Sequence, residues 1–217
     1  MEMKRRTLCA FTLIELLVVI VIIAILAGLA FPVFQSVQNQ AKKTQAKNDV
    51  TQIVTAVNAY YTEYGRYPLA ASDGAVDTTF GPTLTNDNLF NVLRATGAGR
   101  DAVDPADTSG NKNLNLRRIV FLSPPDAKDT SAPRSGIGTI TGVGQFFDPW
   151  GTPYYIEIDG NYNNQIETNP YSTNAGSNPL RVGGIAWSIG KDRQSQTPSN
   201  PADKNTGTNA DDVISWQ

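Results

Sequence analysis

The run AFTLIELLVVIVIIAILAGLAFP, from Ala10 to Pro32, limits this chain more than any other stretch. It carries one acid, Glu15, and its apolar part spans about 20 residues, the length that a membrane-crossing helix needs. On insertion scales an acid at the helix centre costs about 2.5–3.5 kcal/mol, while each Leu, Ile, Val or Phe returns about 0.3–0.6 kcal/mol. The run therefore inserts despite Glu15, which sits near one end, where the cost is lower. Insertion tolerates the carboxylate without explaining it. An ionisable group at such a place calls for a partner and a function.

The flanks narrow the choices. Lys4, Arg5 and Arg6 precede the run, as in a secretory signal. A cleavable signal, however, has an apolar core of about 7–15 residues and ends in small residues, whereas this run is longer and continues past Pro32. Charge does not orient it, because Lys42, Lys43 and Lys47 balance the leader. There is no His, and the one Cys, Cys9, lies ahead of the run. That excludes His-based acid–base catalysis, Ser-His-Asp triads, Cys/His zinc sites and any disulfide in the body of the chain. A lipoprotein signal places its apolar stretch before the Cys, so Cys9 reads as an incidental leader residue. The net charge is −2, and no basic patch exists beyond Lys42, Lys43 and Lys47, which excludes a nucleic-acid footprint.

Beyond Pro32, Val33, Val37 and Ala41 mark one apolar stripe at helical spacing. Val50, Ile53, Val54, Val57, Tyr60, Tyr61 and Tyr64 mark a second. Gly65 supplies a stop and Pro68 cannot continue a helix. Pro32 kinks the helix without ending it. The pattern predicts one very long helix, apolar in its first half and amphipathic in its second. TNDNLFNVLRATG predicts a short helix capped by Thr85 or Asn86 and stopped by Gly97. RRIVFL (117–122), PYYIEID (153–159), GGIAWSIG (183–190) and DVISW near the end predict strands, with a polar loop over 191–209. No repeat is present. The expected fold class is α+β, a long N-terminal helix packed on a small antiparallel sheet. Its segments are a leader (1–10), a transmembrane and assembly helix (11–34), an amphipathic helix with its exit (35–68), a variable region (69–144) and a C-terminal sheet with polar loops (145–217).

The basic leader followed by FTLIELLVVIVIIAILAGLAFP resembles the processing segment of the type IV pilin and pseudopilin superfamily at nearly every position. The resemblance implies that a prepilin peptidase cuts between Ala10 and Phe11 and methylates the new amine of Phe11. Ala10 departs from the Gly usual before the cut, but stays small, so cleavage is expected, at a slower rate. The resemblance also implies a cytoplasmic leader with the domain outside. It gives Glu15 a partner too, the Phe11 amine of a neighbouring subunit in a helical filament. Two buried ions that are each costly alone offset one another as a pair, which then sets register more than it stabilises. Around Gly28, Ala30 and Pro32 the family's helix can lose order on entering the filament.

YYTEYGRYP (60–68), DPWGTPYYIEID (148–159) and WSIGKD…DDVISW resemble the G-type major pseudopilin of type II secretion. Within them, Trp150 reads as a core plug at a turn, and Phe146, Phe147, Tyr154 and Tyr155 as core and cross-strand packing. The implied function is a non-enzymatic filament subunit. It would assemble from the inner membrane with a secretion platform and minor pseudopilins and become a periplasmic filament that drives protein secretion. A surface pilin for adhesion, motility or DNA uptake is the alternative. A signal-anchored periplasmic enzyme or binding module is a third reading, with only scattered acids to support a glycosidase.

The same resemblance implies a Ca2+ ion in the last loop, held by Asp192 and Asp212, with Asp211 as substitute and a carbonyl from Ile189. Arg193 stands where the family has Gly, and the loop is longer and carries Lys204. A second candidate follows from spacing alone. DGNYNNQIE sets Asp159, Asn161, Asn163 and Glu167 at alternating offsets with a Gln165 carbonyl, the start of an EF-hand-like shell that lacks the turn glycine and the closing Glu. Either loop also reads as a polar turn satisfied by its own side chains.

Overall fold

The structure, a computed structural model, describes residues 11–69, 76–81, 84–96, 114–138, 144–171, 173–194 and 203–217, without the side chains of 29–33. The chain forms two compact units, Met1–Ala41 and Lys42–Gln217. Helix α1 spans Leu13–Tyr64, 52 residues, and its backbone stays helical through Pro32. It ends where the sequence places the stop. Gly65 takes the left-handed conformation (φ +67°) and its N–H donates to the Tyr61 carbonyl at 2.8 Å.

Within the larger unit, Ala46, Val50, Ile53, Ala56, Val57 and Tyr60 form the buried stripe of α1. Their three-and-four spacing puts them on one face, and each large member stabilises the fold by about 1.5–3 kcal/mol on burial. Val54 and Tyr64 are partly buried, and Tyr61 stays exposed. Of the first predicted stripe, the side chain of Val33 lies outside the described residues. Val37 and Ala41, which belong to the smaller unit, are exposed.

Strands β1 (Thr78–Phe80), β2 (Gly136–Gly138), β3 (Gln145–Phe147), β4 (Tyr155–Ile158), β5 (Gly184–Ser188) and β6 (Val213–Ile214) follow in chain order. An antiparallel sheet runs β1-β4-β5-β6, with Glu157 opposite Thr79 and Ile185, and β2 and β3 form a separate antiparallel pair. Ile156, Ile158, Ala186 and Val213 join the α1 stripe in one core cluster. Ile185, Trp187 and Ile214 join Ile166, Tyr171 and Leu180 in a second. Both faces of the sheet are therefore covered, which is why β5 is buried at every position. Tyr155 and Trp187, a cross-strand pair, stack at 5.2 Å.

The predicted strands at 153–159, 183–190 and DVISW are β4, β5 and β6. Strand 117–122 is absent. There Asn115 is buried, its amide nitrogen donates to the Val92 and Ile119 carbonyls at 2.8 Å, and its oxygen accepts the Ile119 N–H at 3.0 Å. Side-chain bonding of this kind offers the backbone a turn in place of a ladder. Arg118 is left-handed (φ 54°), and the amides of Phe121 and Leu122 both donate to the Leu93 carbonyl.

The short helix exists as α2, Asp87–Leu93, but Asn86 does not cap it. Its side chain instead donates to the carbonyls of Phe146 (3.2 Å) and Tyr154 (2.9 Å) and accepts the Phe146 N–H (3.1 Å), joining α2 to the β3–β4 connection. Gly97 lies outside the described residues. The DPWG turn is organised by Asp148, which is fully buried. Its Oδ1 accepts the amides of Trp150, Gly151 and Thr152 at 2.7–2.9 Å, and its Oδ2 accepts the Ser188 hydroxyl of β5 at 2.6 Å. Gly151 sits at φ +94°, where a side chain would be strained. Trp150, Phe146, Phe147 and Tyr154 are buried, as a packing role requires.

Two outcomes follow, both measurable by urea unfolding of the full chain in detergent micelles. Asp148→Ala strands three amides and lowers stability by about 3 kcal/mol, whereas Ser188→Ala costs about 1 kcal/mol. The second concerns Glu157, whose carboxyl is pushed up from 4.5 to about 7 by burial, with the Asp77 carboxylate adding to the shift. The folded chain holds a proton there that the unfolded chain releases above about pH 4.5, so this stability is complete below that pH and lost as pH rises through about 7. Stability should therefore fall between about pH 5 and pH 8, and Glu157→Gln should shrink that fall by about 2 kcal/mol.

Candidate functional site

In the N-terminal unit, Phe11 and Thr12 precede the first residue of α1. Thr12 and Glu15 form a capping box. The Glu15 Oε2 accepts the Thr12 N–H at 2.9 Å and the Thr12 hydroxyl at 2.6 Å, and the Glu15 N–H donates back to that hydroxyl at 3.3 Å. Two otherwise orphaned amides are satisfied, and a negative charge meets the positive end of the helix dipole. The signal was present in the sequence as Thr-x-x-Glu. Glu15 thus has a partner within its own chain, and both Thr12 groups lie beyond the expected cut. Ala10, on the other side of that cut, lies outside the described residues.

The large apolar side chains from Phe11 to Leu26 are all exposed, from 45 % at Val19 to 89 % at Leu13. They occupy the whole circumference of the helix, and a helix apolar all round requires a covering of lipid or protein. Among the described residues, which leave out the side chains of 29–33, no helix is long and apolar enough to cross a membrane.

The C-terminal loops belong to the other unit. Asp211 Oδ2 accepts the amides of Lys191 and of Asp192 (3.0 Å), so these two acids meet in one turn. That turn needs Gly190 (φ +70°), where a Cβ would come within 2.6 Å of the Asp211 carbonyl oxygen. Asp192 Oδ1 accepts the Gln194 amide at 2.9 Å. Asp212 points elsewhere. Its Oδ2 accepts the Tyr171 hydroxyl at 2.6 Å, and its Oδ1 is buried without a hydrogen-bond partner. Burial pushes this carboxyl up to about 7, against the Tyr171 bond, which lowers it. Ile189 is buried in the second core cluster. Arg193, left-handed at φ 56°, donates to the Trp150 carbonyl and so joins this turn to DPWG.

The Asp159–Glu167 loop closes on itself. Asp159 accepts the amides of Asn163 (3.2 Å) and Asn164 (2.7 Å), Asn161 Oδ1 accepts that of Asn163, and Asn163 Oδ1 accepts that of Gln165. Glu167 Oε1 takes the side-chain amides of Asn161 and Asn163, both at 3.0 Å. The spaced residues are brought together, but as a chain of Asx turns. Asp77 joins them by accepting the Glu167 N–H at 2.8 Å, a contact that nothing in the sequence pattern announces. Among the described residues, no group of three or more His, Cys, Asp or Glu could hold a metal ion.

The family model of the prokaryotic N-terminal methylation motif matches residues 5–31. No curated protein matches the chain, and no solved structure does. Set at the head of a long helix that is followed by a small antiparallel sheet, the motif supports a type IV pilin-like protein.

The capping box makes its own prediction. Thr12→Val and Glu15→Val should each cost the helix start about 1 kcal/mol, read as roughly fivefold faster amide exchange over residues 13–16 in micelles, with exchange beyond Val19 unchanged.

Proposed function

We propose that this chain is the structural subunit of a type II secretion pseudopilus. Prepilin peptidase cuts between Ala10 and Phe11 and methylates Phe11. The subunit then waits in the inner membrane as a single-pass protein with its domain in the periplasm. The secretion platform, with minor pseudopilins, adds it to a helical filament whose growth drives protein export. One observation carries this reading. The methylation motif leads directly into a helix whose described apolar side chains are exposed all round, so that first lipid and then neighbouring subunits can cover them. In the filament, Glu15 pairs with the Phe11 amine of a neighbour and sets its register.

The alternative, a surface pilin, shares all of that segment. The secretion reading is favoured by the DPWG and YYTEYGRYP stretches and by a body without cysteine, which cannot close the C-terminal disulfide found in many pilins. A gene deletion complemented with the wild-type chain or with Glu15→Val tests it. The wild type should restore secreted protein and yield a mature chain beginning at methylated Phe11, while Glu15→Val should insert, be cut and leave secretion lost. Normal secretion with loss of surface filaments in the deletion strain would favour the pilin. A mature chain that starts elsewhere would overturn both.

A further inference from the structure

The side chain of Lys47 leaves helix α1 and ends at one edge of the sheet. Its Nζ donates to the Ile214 carbonyl of β6 at 2.8 Å and to the main-chain oxygen of Gln217. Strand β6 closes the order β1-β4-β5-β6 and is paired on one side only, with β5. The bonding pattern shows which of its groups turn the other way. The Ser215 N–H donates to the Ala186 carbonyl at 3.0 Å, while Ile214 stands opposite Trp187. In an antiparallel ladder bonded and non-bonded pairs alternate, so Ser215 faces β5, and the N–H and C=O of Ile214 face away from it.

Both faces of β6 are covered, since Val213 belongs to the first core cluster and Ile214 to the second. The edge is what remains to be satisfied. Ile214 is only 5 % exposed, and a buried carbonyl without a partner is costly. Lys47 is that partner. A residue that turns both N–H and C=O outward is also complementary to its own copy. Two β6 strands meeting antiparallel about a two-fold axis would exchange both bonds at Ile214, an isologous contact. Lys47 opposes that contact twice. Its Nζ takes the carbonyl that an incoming N–H would need, and a second copy would bring a second ammonium to the same axis, where like charges repel with little screening. Native sheet edges are blunted in this way, by lysine above all.

We propose that Lys47 guards the β6 edge against a second copy of this chain, so that copies brought side by side do not join their sheets through β6. The inference rests on the filament reading only for the supply of neighbours. It concerns the folded domain and is independent of processing and of export.

Amide exchange of the full chain in micelles, at a low and at a high ratio of chain to micelle, tests it. The wild-type Ile214 amide should exchange at the same rate at both ratios. Lys47→Met removes the donor and the charge, and should slow exchange at Ile214 by about tenfold at the high ratio only. A mixed sample of isotopically heavy and light Lys47→Met chains should then show contacts between the Ile214 residues of two copies. Lys47→Arg keeps a charged donor and should behave as the wild type. A role in stability alone would speed exchange at both ratios alike, and that result overturns the proposal, as does a wild type already protected at the high ratio. Should Lys47→Met not fold, Lys47→Gln takes its place. Ratio-dependent protection of Ile214 is again expected without the ammonium, and its absence overturns the proposal. Secretion and processing do not enter these readouts, so failure here leaves the filament reading standing.

Discussion

A carboxylate removed from water costs several kcal/mol unless hydrogen bonds replace its hydration, and Asp148 meets that demand with four of them. Because three come from the next turn and one from β5, the requirement fixes where β3 ends, how the chain reverses into β4 and which residue of β5 lies alongside. Tyr154, leaving that turn, donates to Asp49 of α1 at 2.8 Å. One polar knot therefore ties helix, turn and sheet together at a depth where apolar packing would tolerate several registers. Asn86 does similar work from the other side, holding α2 to Phe146 and Tyr154. Between these struts the apolar stripe of α1 packs in one cluster with Ile156, Ile158 and Ala186, and the polar groups decide how it is placed.

What was legible in the sequence follows from that division. The helix could be read because its stripe has helical period and Gly65 ends it. Strands β4 and β5 could be read because a sheet covered on both faces demands near-continuous apolar residues, and YIEI and GIAWS supply them. Strands β1 and β2 gave no such signal. Thr78–Phe80 is short, and Gly136 and Gly138 are there for close approach, since a Cβ would lie 2.5 Å from the Pro125 carbonyl oxygen in the first case and 2.4 Å from Pro133 Cβ in the second. RRIVFL misled for the opposite reason. Its composition suits a strand, but a residue just before it, Asn115, captures its backbone, and Val120 is left 58 % exposed.

The sites divide in the same way. Spacing identifies which oxygens lie near one another but not what they already accept. Asp159, Asn161, Asn163 and Glu167 do converge, and local amides take up their oxygens. Asp192 and Asp211 converge as well, while Asp212, the next residue, faces Tyr171, because the 3-10 turn Gly207–Asp211 ends between them and Asp212 leaves it in an extended conformation (φ −59°, ψ 148°). The N-terminal segment was more transparent. Its methylation motif, its apolar run and its one acid are properties of composition along a single helix and need no tertiary knowledge.

Glu15, proposed above to act in an assembled state, already serves a local one. The described hydrogen bonds to its carboxylate all fall on Oε2, from the amide and hydroxyl of Thr12. Oε1 receives none of them. The capping box therefore engages one oxygen of the carboxylate at the helix start, and the pairing proposed above would fall to the other. The cap also fixes the direction in which that oxygen points, because Thr12 holds Oε2 from two sides. An ion pair in a low dielectric gains little from a mobile carboxylate, since ordering it costs side-chain entropy at the moment of pairing. Here the ordering precedes assembly, so the pairing proposed between Glu15 and a neighbour's Phe11 would meet a carboxylate already held in place.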